Sequence, residues 1–150
     1  MKISTKVVCG IMAITDIALY SQEGKAVTVL SISGRREISE KYLEQILPSL
    51  RHAKLIKSLK GSRGGYVLAK DAKEITLAQI INALDSNILN NEIPTVNEES
   101  DSFDEIIKTL LWDKIEVSIQ SIAESVTLAQ LTSAYLEKIE EAAGAHMYYI

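Results

Sequence analysis

Disulfide bonding within the chain is excluded at once, because Cys9 is the only cysteine among 150 residues. That usage suits a reducing compartment. Aromatic residues are scarce, with one Phe and one Trp, so a 47% apolar composition must build an aliphatic core. Two histidines, His52 and His146, stand apart from any cysteine and from each other, so no metal centre is expected. No stretch approaches the roughly eighteen uncharged apolar residues of a membrane span. The apolar opening MKISTKVVCGIMAITDIALY is interrupted by Asp16 and lacks a small-residue cleavage site, so it is not expected to be a signal peptide. A soluble, cytoplasmic protein is the expectation: one domain, or a small domain with an appended helical element.

Glycine is also sparse, yet three of the seven fall within KGSRGGYVL (60–68), beside Lys60 and Arg63. A phosphate-gripping loop of an enzyme would need GxxxxGK followed by Ser or Thr, or GxGxxG, and neither spacing is present. No serine sits in a glycine-flanked nucleophile elbow. The acidic run NEESDSFDE lacks the spacing and the glycine of a calcium loop. The sequence is not expected to encode an enzyme.

Charge is short of balance in a particular place. The net charge of −4 hides a block, residues 35–73, with ten Lys/Arg against four Asp/Glu, a net of +6. Residues 74–150 hold three against fourteen, a net of −11. A concentrated basic block suits a polyanion in spite of a pI near 5.2.

Residues 4–20 read as a helix capped by Ser4 or Thr5, with an apolar stripe through Val7, Val8, Ile11, Ile14, Ala18 and Leu19. The segment 28–35, TVLSISGR, has poor helix formers and takes no assignment from propensity. Ser39 caps a helix over 39–52 with Leu43, Ile46, Leu47 and Leu50 on one side, which Pro48 is expected to bend or end early. LIKSLKGSRGGYVLA reads as two short strands around a glycine-rich turn. Residues 75–86 form a further amphipathic helix behind Thr76. The fold expected is mostly α with a small β-hairpin wing: a winged helix-turn-helix over 1–86. Its capped helix would enter the major groove and its hairpin would lie on the backbone.

Residues 87–101 read as an acidic loop, and 102–143 as a helical dimerisation region opening on the capping box SFDE. Its stripe, Ile107, Leu110, Leu111, Ile115, Ile119 and Ile122, needs a partner surface, which a symmetric twin supplies. Gly144 is expected to end the last helix before a tail, 144–150. No internal repeat is apparent.

MKISTK (1–6), ISEKYLEQIL (38–47), SLKGSRGGYVL (58–68) and ITLAQII (75–81) together resemble the Rrf-type winged-helix transcription regulators. The ending HMYYI is similar to that of the family's cysteine metabolism repressor branch. The resemblance implies a homodimer that binds double-stranded operator DNA and usually represses, here genes of cysteine or sulfur metabolism. It implies DNA contacts from Lys2 and Lys6, from Ser39, Lys41, Glu44 and Gln45, and from the wing residues Lys60, Ser62, Arg63 and Gly64. A glutamate accepts from cytosine and a glutamine pairs with adenine, so Glu44 and Gln45 suit base edges. It also implies a partner, O-acetylserine thiol-lyase, docking the tail residues Tyr148, Tyr149 and Ile150.

The chain departs from the family in three places. Val7, Val8 and Cys9 replace Gly-Arg-Tyr, Glu37 occupies the turn glycine's place, and residues 85–105 lack the three-cysteine cluster. No cofactor or metal is therefore expected. Cys9 remains either a small buried hydrophobe or a redox sensor. Two other readings stay open: a winged-helix protein-interaction module without DNA binding, and a redox or iron–sulfur sensing regulator. Selection from random duplex DNA discriminates between them.

Overall fold

In the computed structural model, which describes residues 2–90 and 102–148, each of the first three α-helices opens on a side-chain hydroxyl. Ser4 accepts from the Val7 N–H at 3.4 Å and starts α1 (Thr5–Tyr20). Thr28 accepts from the Ser31 N–H at 3.1 Å and starts α2 (Val29–Arg36). Ser39 accepts from the Tyr42 N–H at 3.2 Å and starts α3 (Glu40–His52).

The segment without an assignment, 28–35, is thus largely α2. Its weak propensity is overridden from outside: Ile32 is fully buried, and Arg35 and Arg36 both reach Asp16 of α1. Nor does Pro48 end α3, which runs unbroken to His52. One missing backbone bond costs about 3 kcal/mol in a helix interior. Leu43, Ile46, Leu47 and Leu50 are all fully buried on the same helix, at about 1.5–3 kcal/mol each. The burial wins.

β1 (Ile56–Leu59) and β2 (Gly65–Leu68) pair antiparallel, with Ile56 opposite Leu68 and Leu59 opposite Gly65. The hairpin is tied back to the α1–α2 loop by two backbone bonds between Val27 and Tyr66, each 2.8 Å. α4 (Leu77–Leu84) follows, capped by Thr76 in a reciprocal capping box with Gln79. α4 ends at Leu84, two residues before the expected 86, and the turn that follows buries Ile88 and Leu89 in the core. Residues 91–101, the rest of the expected loop, lie outside the described residues.

A short repeat escaped the sequence reading. Ile75-Thr76-Leu77-Ala78-Gln79-Ile80 recurs as Val126-Thr127-Leu128-Ala129-Gln130-Leu131. Both copies form capping boxes: the Thr127 N–H donates to Gln130 Oε1 at 2.9 Å, as the Thr76 N–H does to Gln79 Oε1 at 3.2 Å. The two copies also pair with each other. The Leu77 N–H donates to the Val126 carbonyl and the Leu128 N–H to the Ile75 carbonyl, both at 2.8 Å.

That clamp joins the winged helix to the C-terminal helices: α5 (Ser102–Ile107), a π-helical segment Lys108–Trp112, α6 (Asp113–Ser125) and α7 (Leu128–Tyr148). α7 passes straight through Gly144, so the helix does not stop at 143 and residues 144–148 are no separate tail. A single glycine costs about 1 kcal/mol in a helix, and the neighbouring alanines favour continuation. Tyr149 and Ile150 lie outside the described residues.

Among the described residues, one polar or charged side chain is buried in the core. Asp16 is 0% exposed, and its carboxylate gathers three guanidinium N–H groups. Arg35 Nη2 donates to Oδ2 at 2.7 Å and Arg35 Nε to Oδ1 at 3.1 Å, while Arg36 Nε donates to Oδ1 at 2.7 Å. Arg36 Nη1 goes on to the Tyr135 hydroxyl of α7 at 2.9 Å. The hydrogen bond to Asp16 is the main cause that raises the Arg35 pKa. Burial works to lower that of Arg36, but the bonds to Tyr135 and Asp16 outweigh it and the pKa is raised. Both guanidiniums therefore stay charged throughout the accessible pH range.

Replacing Asp16 by Asn leaves two clustered cations without their counter-charge. Asp16→Asn is expected to lower stability by roughly 2–3 kcal/mol, less than for a wholly buried pair because Arg35 reaches solvent. Tyr135→Phe, which removes one bond, should cost about 1 kcal/mol. Urea unfolding of both variants measures the difference, and equal losses would contradict the charge argument.

Candidate nucleic-acid interface

The buried side of α3 leaves a continuous opposite face. Glu40, Lys41, Glu44, Gln45, Pro48, Arg51 and His52 are all exposed, at the three-to-four spacing of one helical stripe. The expected reading residues Lys41, Glu44 and Gln45 thus share one face, with Ser39 exposed at its start.

The turn that aims this helix has an unusual residue. Glu37 takes the left-handed conformation, φ 56° and ψ 36°, and its N–H donates to the Ser33 carbonyl at 3.0 Å. The departure from glycine therefore does not abolish a left-handed turn; it places a strained residue in it, at about 1–2 kcal/mol. Ile38, almost fully buried, holds the other end of the turn.

The hairpin places Lys60, Ser62 and Arg63 at an exposed tip, with Gly64 half-buried behind them. Gly61 sits at φ 103° and closes the turn by accepting the Gly64 N–H at 3.0 Å. Gly65 is required for a different reason: a Cβ there would lie 2.5 Å from the Val27 carbonyl oxygen. That close approach is the wing's anchor to the loop before α2. Among the described residues, no ion pair engages Lys41, Lys60 or Arg63, so their charges are free for a partner.

The remaining candidates lie on other elements. Lys2 is exposed and Lys6 half-buried at the start of α1, which packs against both α3 and β2. Cys9 is half-buried on α1 against the core. On the long helix Leu110, Leu111, Ile115 and Ile122 are exposed, at 62%, 46%, 41% and 63%, while Ile107 and Ile119 are half-buried. Phe103, Trp112 and Val117 add to that surface and were not anticipated. Arg35 and Arg36 were also missed as positioning residues. Their signal was Asp16, a lone carboxylate on an apolar helix.

Known proteins share this arrangement. A family described as Rrf2, iron-dependent transcriptional regulator, matches residues 3–134. The HTH-type transcriptional regulator CymR of Bacillus subtilis (strain 168) is 35% identical over 150 residues, all of both chains. The HTH-type transcriptional regulator IscR of Serratia proteamaculans is 35% identical over 133 residues, 89% of this chain and 80% of that protein. The solved structure of B. subtilis CymR superposes with a TM-score of 0.75 at 33% identity, covering 89% of this chain and 98% of that one. T. potens IscR gives 0.70 at 34%, covering 95% and 90%.

The iron in the family's description does not fit the residues present. Among the described residues, no group of three or more His, Cys, Asp or Glu is placed to hold a metal, and the single cysteine lies on α1. The chain belongs to the Rrf2 family of winged helix-turn-helix, DNA-binding transcriptional regulators, and is not an enzyme.

Proposed function

We propose that the protein acts as a homodimer that represses genes of cysteine or sulfur metabolism by occupying their operators. The carrying observation is the end-to-end similarity to CymR, whose structure is described as that of the global cysteine regulator of B. subtilis. Two copies related by a two-fold axis would set two α3 helices in successive major grooves, about 34–36 Å apart. Glu44 and Gln45 then face base edges, and Lys60 and Arg63 meet the flanking phosphates. Fragments selected from random duplex DNA should contain a palindrome, and recovery of no preferred sequence would overturn the reading.

Lys60→Ala and Arg63→Ala should each make the log–log salt dependence of binding shallower by about one. Exchanging Glu44 or Gln45 should instead change the preferred bases. Titrations from 50 to 200 mM salt separate the two outcomes.

The dimer interface assigned to the long helix rests on its exposed apolar side chains, Leu110, Leu111, Ile115 and Ile122 among them, which need a partner surface. Leu110→Lys should give a folded monomer by sedimentation, because that side chain supports no core. Operator affinity should fall at least tenfold with it, as one half-site is lost.

The partner O-acetylserine thiol-lyase remains part of this reading through the resemblance. Removing Ile150 should abolish co-sedimentation with that enzyme and leave the dimer unchanged. If removal dissociates the dimer instead, the end of the chain belongs to the interface.

A further inference from the structure

Besides the cations at the tip of the wing, the surface carries a second group that the DNA reading above does not use. An open groove of about 910 Å³ runs between the C-terminal ends of α3 and α4, lined in part by Pro48, Arg51, His52, Lys54, Asn82 and Ala83. No Asp or Glu lines it. Neither Arg51 nor Lys54 has an ion-pair partner among the described residues. In a chain of net charge −4, an open groove with unpaired cations and no acid is a surface suited to a polyanion.

We propose that Arg51 and Lys54, with His52 and Asn82 beside them, form a second phosphate-binding site. It would hold the DNA backbone where the recognition helix leaves the major groove. The proposal rests on the reading of α3 as the DNA-recognition helix. Two observations favour duplex DNA over an acidic protein, and a third marks Lys54 as a residue with a task.

The groove is continuous with the reading face. Lys41, Gln45, Pro48 and His52 fall on one stripe of α3, and Pro48 and His52 line the groove. The length is also suitable. Ten residues separate Lys41 from Arg51, about 15 Å at 1.5 Å per residue. The major groove is about 12 Å wide. With the N-terminal turn of α3 at the bases, its last turn comes out at the rim, where the phosphates run.

The third observation is the conformation of Lys54. It holds φ 60°, a left-handed residue in the turn between α3 and β1, and its side chain is exposed. Glycine would adopt that backbone without strain, whereas lysine carries about 1–2 kcal/mol there. Strain of this kind gathers where a side chain has a task. The hairpin begins two residues later, so the cluster stands at the root of the wing. Lys60 and Arg63 stand at its tip, one four-residue strand away, about 13 Å. The wing then holds the backbone at two points instead of one.

Basic residues in the last turn of a helix also complement its dipole. That role alone would leave DNA binding untouched, which the test exploits. The probe is the duplex recovered by random-sequence selection, titrated between 50 and 200 mM salt. Arg51→Gln with Lys54→Gln should make the log–log salt dependence shallower by about two, so that the wild type loses about tenfold more affinity over that range than the variant. Base preference should not change, and Arg51→Lys should keep the wild-type slope.

An unchanged slope in the double variant, alongside a reduced one for Lys60→Ala, overturns the second site and leaves the DNA reading intact. It would assign the groove to an acidic protein surface or to the dipole alone. A changed base preference at constant slope also overturns it, because the cluster would then be reading bases. If the wild type binds no duplex, both this proposal and the DNA reading fail.

Discussion

The geometry of the reading head depends on a buried carboxylate. Asp16 stands on the apolar side of α1, where an unpaired charge would be prohibitively costly, and so it dictates where α2 must end. Arg35 and Arg36 bring the last turn of α2 against α1, and the chain then has three residues in which to turn into α3. Glu37 accepts a left-handed conformation and Ile38 plugs into the core within that short span. A buried ion pair is weak as a source of stability, since desolvation consumes most of its Coulomb energy. Its effect here is directional. Two guanidiniums converging on one carboxylate, one of them stacked over Tyr20 at 4.0 Å, fix the angle at which α2 delivers the chain to α3.

Elements with a local cause were legible in the sequence. Hydroxyl caps, three-to-four periodicity and a glycine-rich turn located α1, α3, the hairpin and α4, and their order identified the winged helix-turn-helix. Elements with a distant cause were not. α2 has no propensity of its own and forms because Ile32 and two arginines find partners on α1. Pro48 and Gly144 have the opposite lesson: each is a local breaker, and each is outweighed by what surrounds it. The candidate DNA-facing residues were assigned through the resemblance; they lie on the expected elements, all exposed except Lys6 and Gly64, which are half-buried. Asp16 could have disclosed its arginines, because a lone carboxylate on an apolar helix must be paired. The paired TLAQ segments were visible as letters, but their significance is a backbone pairing across fifty-one residues of sequence.

The charge distribution follows the division of labour in the fold. The basic block includes α3, the hairpin and the turns around them, whereas the acidic remainder holds α4 and the long helices. The C-terminal helices present exposed aliphatic side chains in place of cations, among them Leu110, Ile115 and Ile122. Under the proposed dimer, one end of the protomer is built to meet phosphate and the other to meet its own copy. Acidic residues around the second surface would also repel DNA from it, and so keep the polyanion at the end that reads it.

These two ends must be held at a fixed distance if the protein is to recognise half-sites by their spacing. Two connections do so, one from α4 and one from α2. The TLAQ clamp joins the start of α4 to the start of α7 by backbone bonds that no side-chain rotation can loosen. The Arg36–Tyr135 bond joins the end of α2 to α7 two turns further along. One contact alone would leave α7 free to pivot about it. A second contact, about 12 Å away along the helix at 1.5 Å per residue, removes that freedom. The frame that orients α3 is therefore also the frame that carries the long helices, and under the proposed dimer half-site spacing would follow from the lengths of these rigid elements.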